Sequence, residues 1–250
     1  MGEIAKKKEV INQLKKKILL MEGLSKKQDN RLGDFGLGSV NEAFPGGAFP
    51  VGTIHEFVST TESCAAAASG FLSFLVSTFM GRDGFCLWIS PKRQIFPPAL
   101  SFFNIKPHRV IFIDVKHPKE VLWAMEQGLK NKALSVVVAE LREVSFAESR
   151  RLQLAVENSG ATGFLHRIRP LTKGALACIS RWKIRPLPSR ANNGLPGVGF
   201  PRVEVELEKI HGGRPGVWQF EWQNGKFTPV ASQKQSNHAS SSIPQKPKYA

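Results

Sequence analysis

Cysteine is scarce in this chain: Cys64, Cys86 and Cys178 are the three in 250 residues, and they lie far apart. No C-x-x-C pair occurs, which argues against a zinc knuckle, and no metal site is expected. The sparse, odd count suits a reducing compartment. Cys64 and Cys86 sit among apolar neighbours and read as small core residues. Acidic residues are also few, with 20 Asp and Glu against 35 Lys and Arg, a net charge of +15 and a pI near 10.0. That excess favours an anionic partner, either nucleic acid or an acidic protein surface, although charge that only aids solubility is the bland alternative. Long apolar runs are missing as well. The opening residues, MGEIAKKKEV, carry lysines with no apolar segment behind them, so no signal peptide is expected. The longest apolar stretch, 65–80, is interrupted by Ser69, Gly70, Ser73, Ser77 and Thr78 and reads as too short and too polar to span a bilayer. A cytoplasmic, nucleoid-associated protein without a membrane partner is expected.

The sequence does hold enough apolar residues, 42%, for a globular core. Four regions follow from composition. Residues 1–27 hold a charged amphipathic helical pattern over 3–24: Ile4, Ile11 and Ile18 recur every seven residues, with Leu14 and Met21 three residues after the last two. This seam fits a partner helix or the chain's own core equally well. Residues 28–50 are rich in Gly, Asn, Asp and Pro and read as linker and loop. Residues 51–230 form the main domain. Residues 231–250, rich in Ser, Gln, Lys and Pro, read as a disordered basic tail.

Within the main domain the pattern predicts strands at 53–59, 84–90, 109–114, 133–139 and 162–166. They alternate with helices at 62–80, 97–103 (short), 118–130 and 146–159. Alternation of this kind, with near-continuous apolar strands such as 133–139, predicts an α/β fold with a mostly parallel sheet covered on both faces. After residue 174 the style changes. Strands are expected at 175–186, 202–210 and 217–222, added antiparallel to the sheet at its C-terminal end. The glycine-rich stretch 194–200, GLPGVGF, lacks a strand-then-helix context and reads as a shaped surface loop. Ser145, Asp114 and His166 follow no hydrolase spacing, and His166 reads as structural.

The order of these elements resembles the RecA recombinase core. The stretches AFPGGAFPVGTIHEF, LWISPKRQIFPPAL, SRRLQLAVENSGATGFLHR and GLPGVGFPR make the chain more closely similar, over about 41–227, to the ImuA family. These are RecA-like accessory proteins of bacterial DNA-damage mutagenesis, related also to the SulA division inhibitors. The resemblance implies a RecA-like three-layer core with a nucleotide loop, G-x-x-x-x-G-K-[ST], between the first strand and its helix. Laid over that motif, Ser59 takes the first Gly, Cys64 the second, Ala65 the Lys and Ala66 the Ser or Thr, with Thr60 inside the loop. Each change removes chemistry. The glycines permit a tight loop whose N–H groups cradle phosphate, and Ser or Cys costs roughly 1–2 kcal/mol each in a left-handed geometry. The Lys neutralises phosphate charge and the hydroxyl holds Mg²⁺. Glu140 stands where RecA has its Mg²⁺-supporting acid, and Lys92 and Arg93 fall where it has a water-activating one. Ser59, Thr60, Cys64, Ala65, Ala66 and Glu140 therefore outline a degenerate nucleotide pocket. No catalytic residue, cofactor or ATPase activity is expected, although helix 62–80 still offers an N-terminus to an anion.

The RecA strand equivalent to 162–166 leads into a mobile DNA-binding loop. Here the connection is short, leaving Arg167, Arg169 and Lys173 as candidate contacts to single-stranded DNA, with no aromatic side chain interleaved. The resemblance further implies partners: an ImuB-like polymerase-related protein and an error-prone polymerase, in damage-induced (SOS) translesion synthesis. Two other readings stay open, a SulA-like division inhibitor and a weak DNA-dependent ATPase.

Overall fold

The structure is a computed structural model that describes residues 36–172, 174–190 and 199–230. Nine strands form one sheet: β1 (Ile54–Ser59), β2 (Phe85–Ser90), β3 (Val110–Asp114), β4 (Leu134–Leu141), β5 (Thr162–Ile168), β6 (Ser180–Arg190), β7 (Phe200–Ile210), β8 (Gly216–Gln223) and β9 (Lys226–Pro229). Among the described residues three α-helices cover it: α1 (Glu62–Met80), α2 (Pro118–Lys130) and α3 (Phe146–Val156). The strand order is β3-β2-β4-β5-β1-β6-β7-β8-β9. The first six strands in that order run parallel and the last three pair antiparallel. This is an α/β fold consistent with a RecA-like core, as expected.

The sequence explains the change from parallel to antiparallel. In β4, LSVVVAEL, all but Ser135 are buried, because helices lie on both faces of that part of the sheet. In β7 the pattern alternates. Val203, Val205 and Leu207 face the core, while Glu204, Glu206 and Glu208 face out and pair with Arg185 and Lys183 on β6.

Two cores result. On one face α1 packs Ala68, Phe71, Leu72, Leu75 and Val76 against Trp88, Val138, Phe164 and Trp182. On the other, α2 and α3 pack Val121, Met125, Leu129, Leu152 and Val156 against Ile54, Leu87, Val137 and Leu165. Glycine permits the close approach of α2: a Cβ at Gly128 would meet Leu87 at 2.6 Å, and one at Gly163 would meet Ile54 at 2.4 Å.

Several expectations are corrected. The linker reading of 28–50 fails from residue 36 onward, since Leu37, Val40, Phe44 and Phe49 are buried in the α1-side core. Positive-φ glycines at 36, 38, 46 and 47 turn this segment tightly enough to tuck its apolar residues under the sheet. Residues 97–103 form a 3₁₀ segment. β6 starts at Ser180, five residues later than expected, and runs through Pro186 and Pro188 to Arg190, while β9 was not anticipated. By length and composition helix α1 is long and apolar enough to cross a membrane, with 19 residues and an 18-residue window of mean hydropathy 1.5, which the reading of 65–80 as too short and too polar missed. Its apolar side instead lies on the sheet. The amphipathic pattern of 3–24 and the tail 231–250 lie outside the described residues.

Candidate functional site: a filled crevice at the strand ends

Parallel α/β sheets place ligands outside the carboxyl ends of their strands. In this chain the carboxyl ends of the adjacent strands β2, β4, β5 and β1 carry a row of buried polar side chains. Ser59 on β1, Ser90 on β2, Glu140 on β4 and His166 on β5 are all buried. Lateral pairing sets Glu140 beside His166, and His166 beside Phe57. Ser59 Oγ and His166 Nε2 are 2.9 Å apart, and Trp88 Nε1 donates to Glu140 Oε1 at 3.0 Å. Among the described residues His166 Nδ1 has no partner.

The phosphate loop is reduced to Thr60 and Thr61, both exposed. Thr61 caps α1: its Oγ1 accepts from the Cys64 N–H at 3.2 Å, and its carbonyl accepts from the Ala65 N–H at 3.0 Å. Two N–H groups of the helix start are thereby already bonded. Ala65, at the lysine position, points inward and is buried. Ala66, at the hydroxyl position, faces solvent, and Cys64 is half-buried. The chain leaving β5 closes the mouth. The Arg169 N–H donates to the Ser59 carbonyl at 2.7 Å, with Arg169 at φ 50, and Arg142 Nε donates to the Arg169 carbonyl at 2.9 Å. At the positions aligned with the lysine and hydroxyl of the nucleotide loop, the chain thus presents a buried alanine and an exposed one. Lys92 and Arg93 are exposed beyond β2, and Arg93 pairs with Asp114.

Burial sets the ionisation of the cluster. It pushes the Glu140 carboxyl up to about 7, opposed by the Trp88 hydrogen bond, and lowers His166 to about 4. It also lowers His55, bonded to Ser180 Oγ and the Pro50 carbonyl, to about 3. The two histidines are neutral in the fold but protonate near 6.5 when unfolded, so they favour folding fully above that pH and progressively less below it. Glu140 acts in the opposite sense: its contribution is complete below 4.5 and is lost as pH rises through 7. Between pH 6 and 5 the unfolded chain therefore binds about one net proton more. Stability should fall by roughly 1 kcal/mol per pH unit in that window. Denaturant melts at pH 6, 5.5 and 5 check this, and His166→Gln should flatten most of the slope.

The candidate nucleic-acid contacts divide. Arg167 is a correction: it is 1% exposed and lies beneath the surface. Its Nη1 is 3.0 Å from Glu56 Oε1, and its Nη2 is 3.0 Å from Glu143 Oε2 and 2.9 Å from the Thr172 carbonyl. Glu56 also accepts from Arg181 Nε at 2.7 Å. The parallel register explains the burial, since Arg167 follows His166 directly and turns to the other face of the sheet, under the loop over 169–172. Arg169 is exposed but pairs with Glu62 at 3.1 Å. Lys173 lies outside the described residues. Sequence reading passed over Glu56, His55 and Arg181, although an acid and a histidine inside the apolar strand IHEFVS were a visible signal of buried polar work. A groove of about 300 Å³ lined by Trp123, Glu126, Arg151 and others lies between α2 and α3, on the far face of the sheet.

The architecture defines a class: an α/β fold, consistent with a RecA-like core, with buried polar side chains at its strand ends. Within that class the chain belongs to the ImuA family. It is 32% identical over 208 residues to Protein ImuA of Caulobacter vibrioides strain NA1000 / CB15N, covering 78% of this chain and 85% of that protein. Protein ImuA of strain ATCC 19089 / CIP 103742 / CB 15 matches with the same identity and coverage. No protein-family model matches the chain.

Proposed function

We propose that the protein is a non-catalytic adaptor in damage-induced translesion synthesis, acting with an ImuB-like polymerase-related protein and an error-prone polymerase. The observation that supports this reading most is the crevice itself. Family likeness extends over 78% of the chain, yet the strand ends hold Ser59, Ser90, Glu140 and His166 where a nucleotide would lie. A scaffold that keeps its sheet and fills its nucleotide site is suited to presenting surfaces rather than to turnover. Reconstitution with an ImuB-like protein should give a stable complex by size exclusion in the absence of ATP. A complex that forms only with Mg-ATP, or none at all, would count against the adaptor role.

A second reading, direct contact with single-stranded DNA, is favoured by the +15 charge. It does not rest on Arg167, whose charge is internally matched.

A further inference from the structure

We infer that single-stranded nucleic acid binds at the opposite edge of the sheet, where β3, β2 and β4 begin. This deepens the DNA-contact reading by assigning it a surface. Three turns meet there. Arg82 and Asp83 precede β2; Lys106, His108 and Arg109 precede β3; Lys132 precedes β4, with Lys130 ending α2 just before it. β2 lies between the other two strands, with Cys86 beside Val110 and Phe85 beside Leu134. The turns are thus lateral neighbours at the roughly 5 Å spacing of paired strands. Arg82, Lys106, His108, Lys130 and Lys132 are exposed. Arg109 bridges two of the turns: its Nη1 donates to the Arg82 carbonyl, and its guanidinium lies 5.6 Å from the centre of the Phe85 ring. Phe85 is 42% exposed.

Two features distinguish this edge from an ordinary solvated basic face. The first is uncompensated charge. Of Arg82, Lys106, Arg109, Lys130 and Lys132, only Lys130 is in an ion pair among the described residues, with Glu126. The other carboxylates nearby are Asp83 and, further along before β5, Glu157. At the strand-end crevice Arg93, Arg167 and Arg169 are each matched by a carboxylate, while Lys92, Lys116 and Arg142 are exposed outside any ion pair among the described residues, so charge alone does not separate the two edges and the exposed Phe85 ring carries the distinction. Cations at helix C-termini are expected from the helix dipole, which accounts for Arg82 after α1 and Lys130 in α2. It does not account for Lys106 and Arg109, which no α-helix precedes, nor for Lys132 beyond the end of α2.

The second feature is the exposed Phe85 ring beside a guanidinium. A base stacks on such a pair while its phosphates meet the flanking cations, a combination that single strands offer and duplexes do not. An acidic protein segment would use the cations but leave the ring without a role.

The test uses the full chain and a fluorescein-labelled oligo-dT, followed by anisotropy at several salt concentrations. Lys106→Glu/Lys132→Glu should raise Kd about tenfold or more. It should also lower the slope of log K against log salt by about 1.4, two phosphate contacts at about 0.7 each. Phe85→Ala should weaken binding several-fold with the slope unchanged. Lys92→Glu/Lys116→Glu, at the crevice edge, should leave both quantities near the parent values. A loss confined to the crevice-edge pair, or equal losses in both pairs, overturns this assignment while leaving the DNA-contact reading standing. Absence of binding by the unaltered protein at 50 mM salt overturns both. Thermal melts of each variant confirm the fold, since the substituted lysines are exposed.

Discussion

Arg167→Ala should lower stability by about 3–5 kcal/mol, the cost of stranding buried charge when one partner of an internal ion pair is removed. In a domain of this size that corresponds to roughly 10 °C or more in Tm. The size of the effect comes from Glu56, which is 1% exposed and would be left with Arg181 as its cation. The Thr172 carbonyl and Glu143 would lose their hydrogen bonds to the guanidinium at the same time. Arg169→Ala is the matched control. Its pair with Glu62 is well exposed on both sides, so the change should stay within about 1 kcal/mol. The comparison bears on function as well as stability. Were Arg167 a phosphate contact, the Ala variant would weaken oligonucleotide binding and lower the salt slope. Internally matched, it should shift Tm and leave the affinity of the remaining folded protein unchanged. Melts and anisotropy on the same two variants separate these outcomes.

Arg167 shows where sequence legibility ends. The helices 62–80 and 118–130 were readable to the residue because local signals bound them: a Thr cap before Glu62 and a Pro at the start of the second. The parallel part of the sheet followed from continuous apolar runs, which only strands covered on both faces can bury. The side chains at the loop positions need no structure to read, because an alanine supplies neither charge nor hydroxyl in any conformation. Arg167 is different. Its role depends on which face of β5 it points to and on the carboxylates 111 and 24 residues away that meet it there, information that no local window contains. The same holds for Phe44 and Phe49. Their glycine- and proline-rich surroundings signal loop, yet both stack around Trp182, more than 130 residues later. His166 is buried, and its contact with Ser59 follows only from the register of β5 against β1.

Restoring the two signature side chains, Ala65→Lys with Ala66→Thr, should fail to restore nucleotide binding and should cost about 3 kcal/mol or more. Ala65 is 1% exposed, so a lysine there must overpack its surroundings or bury its ammonium. Glu140 is the carboxylate of the strand-end cluster, but at neutral pH it is about half protonated and committed to Trp88, so it offsets only part of the charge. Residue 66 faces solvent, away from any position where its hydroxyl could share a metal with Glu140. The arch is still missing too, because Thr60 and Thr61 alone span from strand to helix and the Cys64 and Ala65 N–H groups stay bonded to Thr61. Mg-ATP at a hundred times its Kd would stabilise a binding-competent fold by about 2.7 kcal/mol, several degrees in Tm. Thermal melts with and without millimolar Mg-ATP should therefore show a lower Tm for the double variant and no rise with nucleotide for either protein. A rise of several degrees in the unaltered chain would mean that the loop over 169–172 lifts and the crevice opens. That outcome would replace the scaffold reading with a nucleotide-gated one.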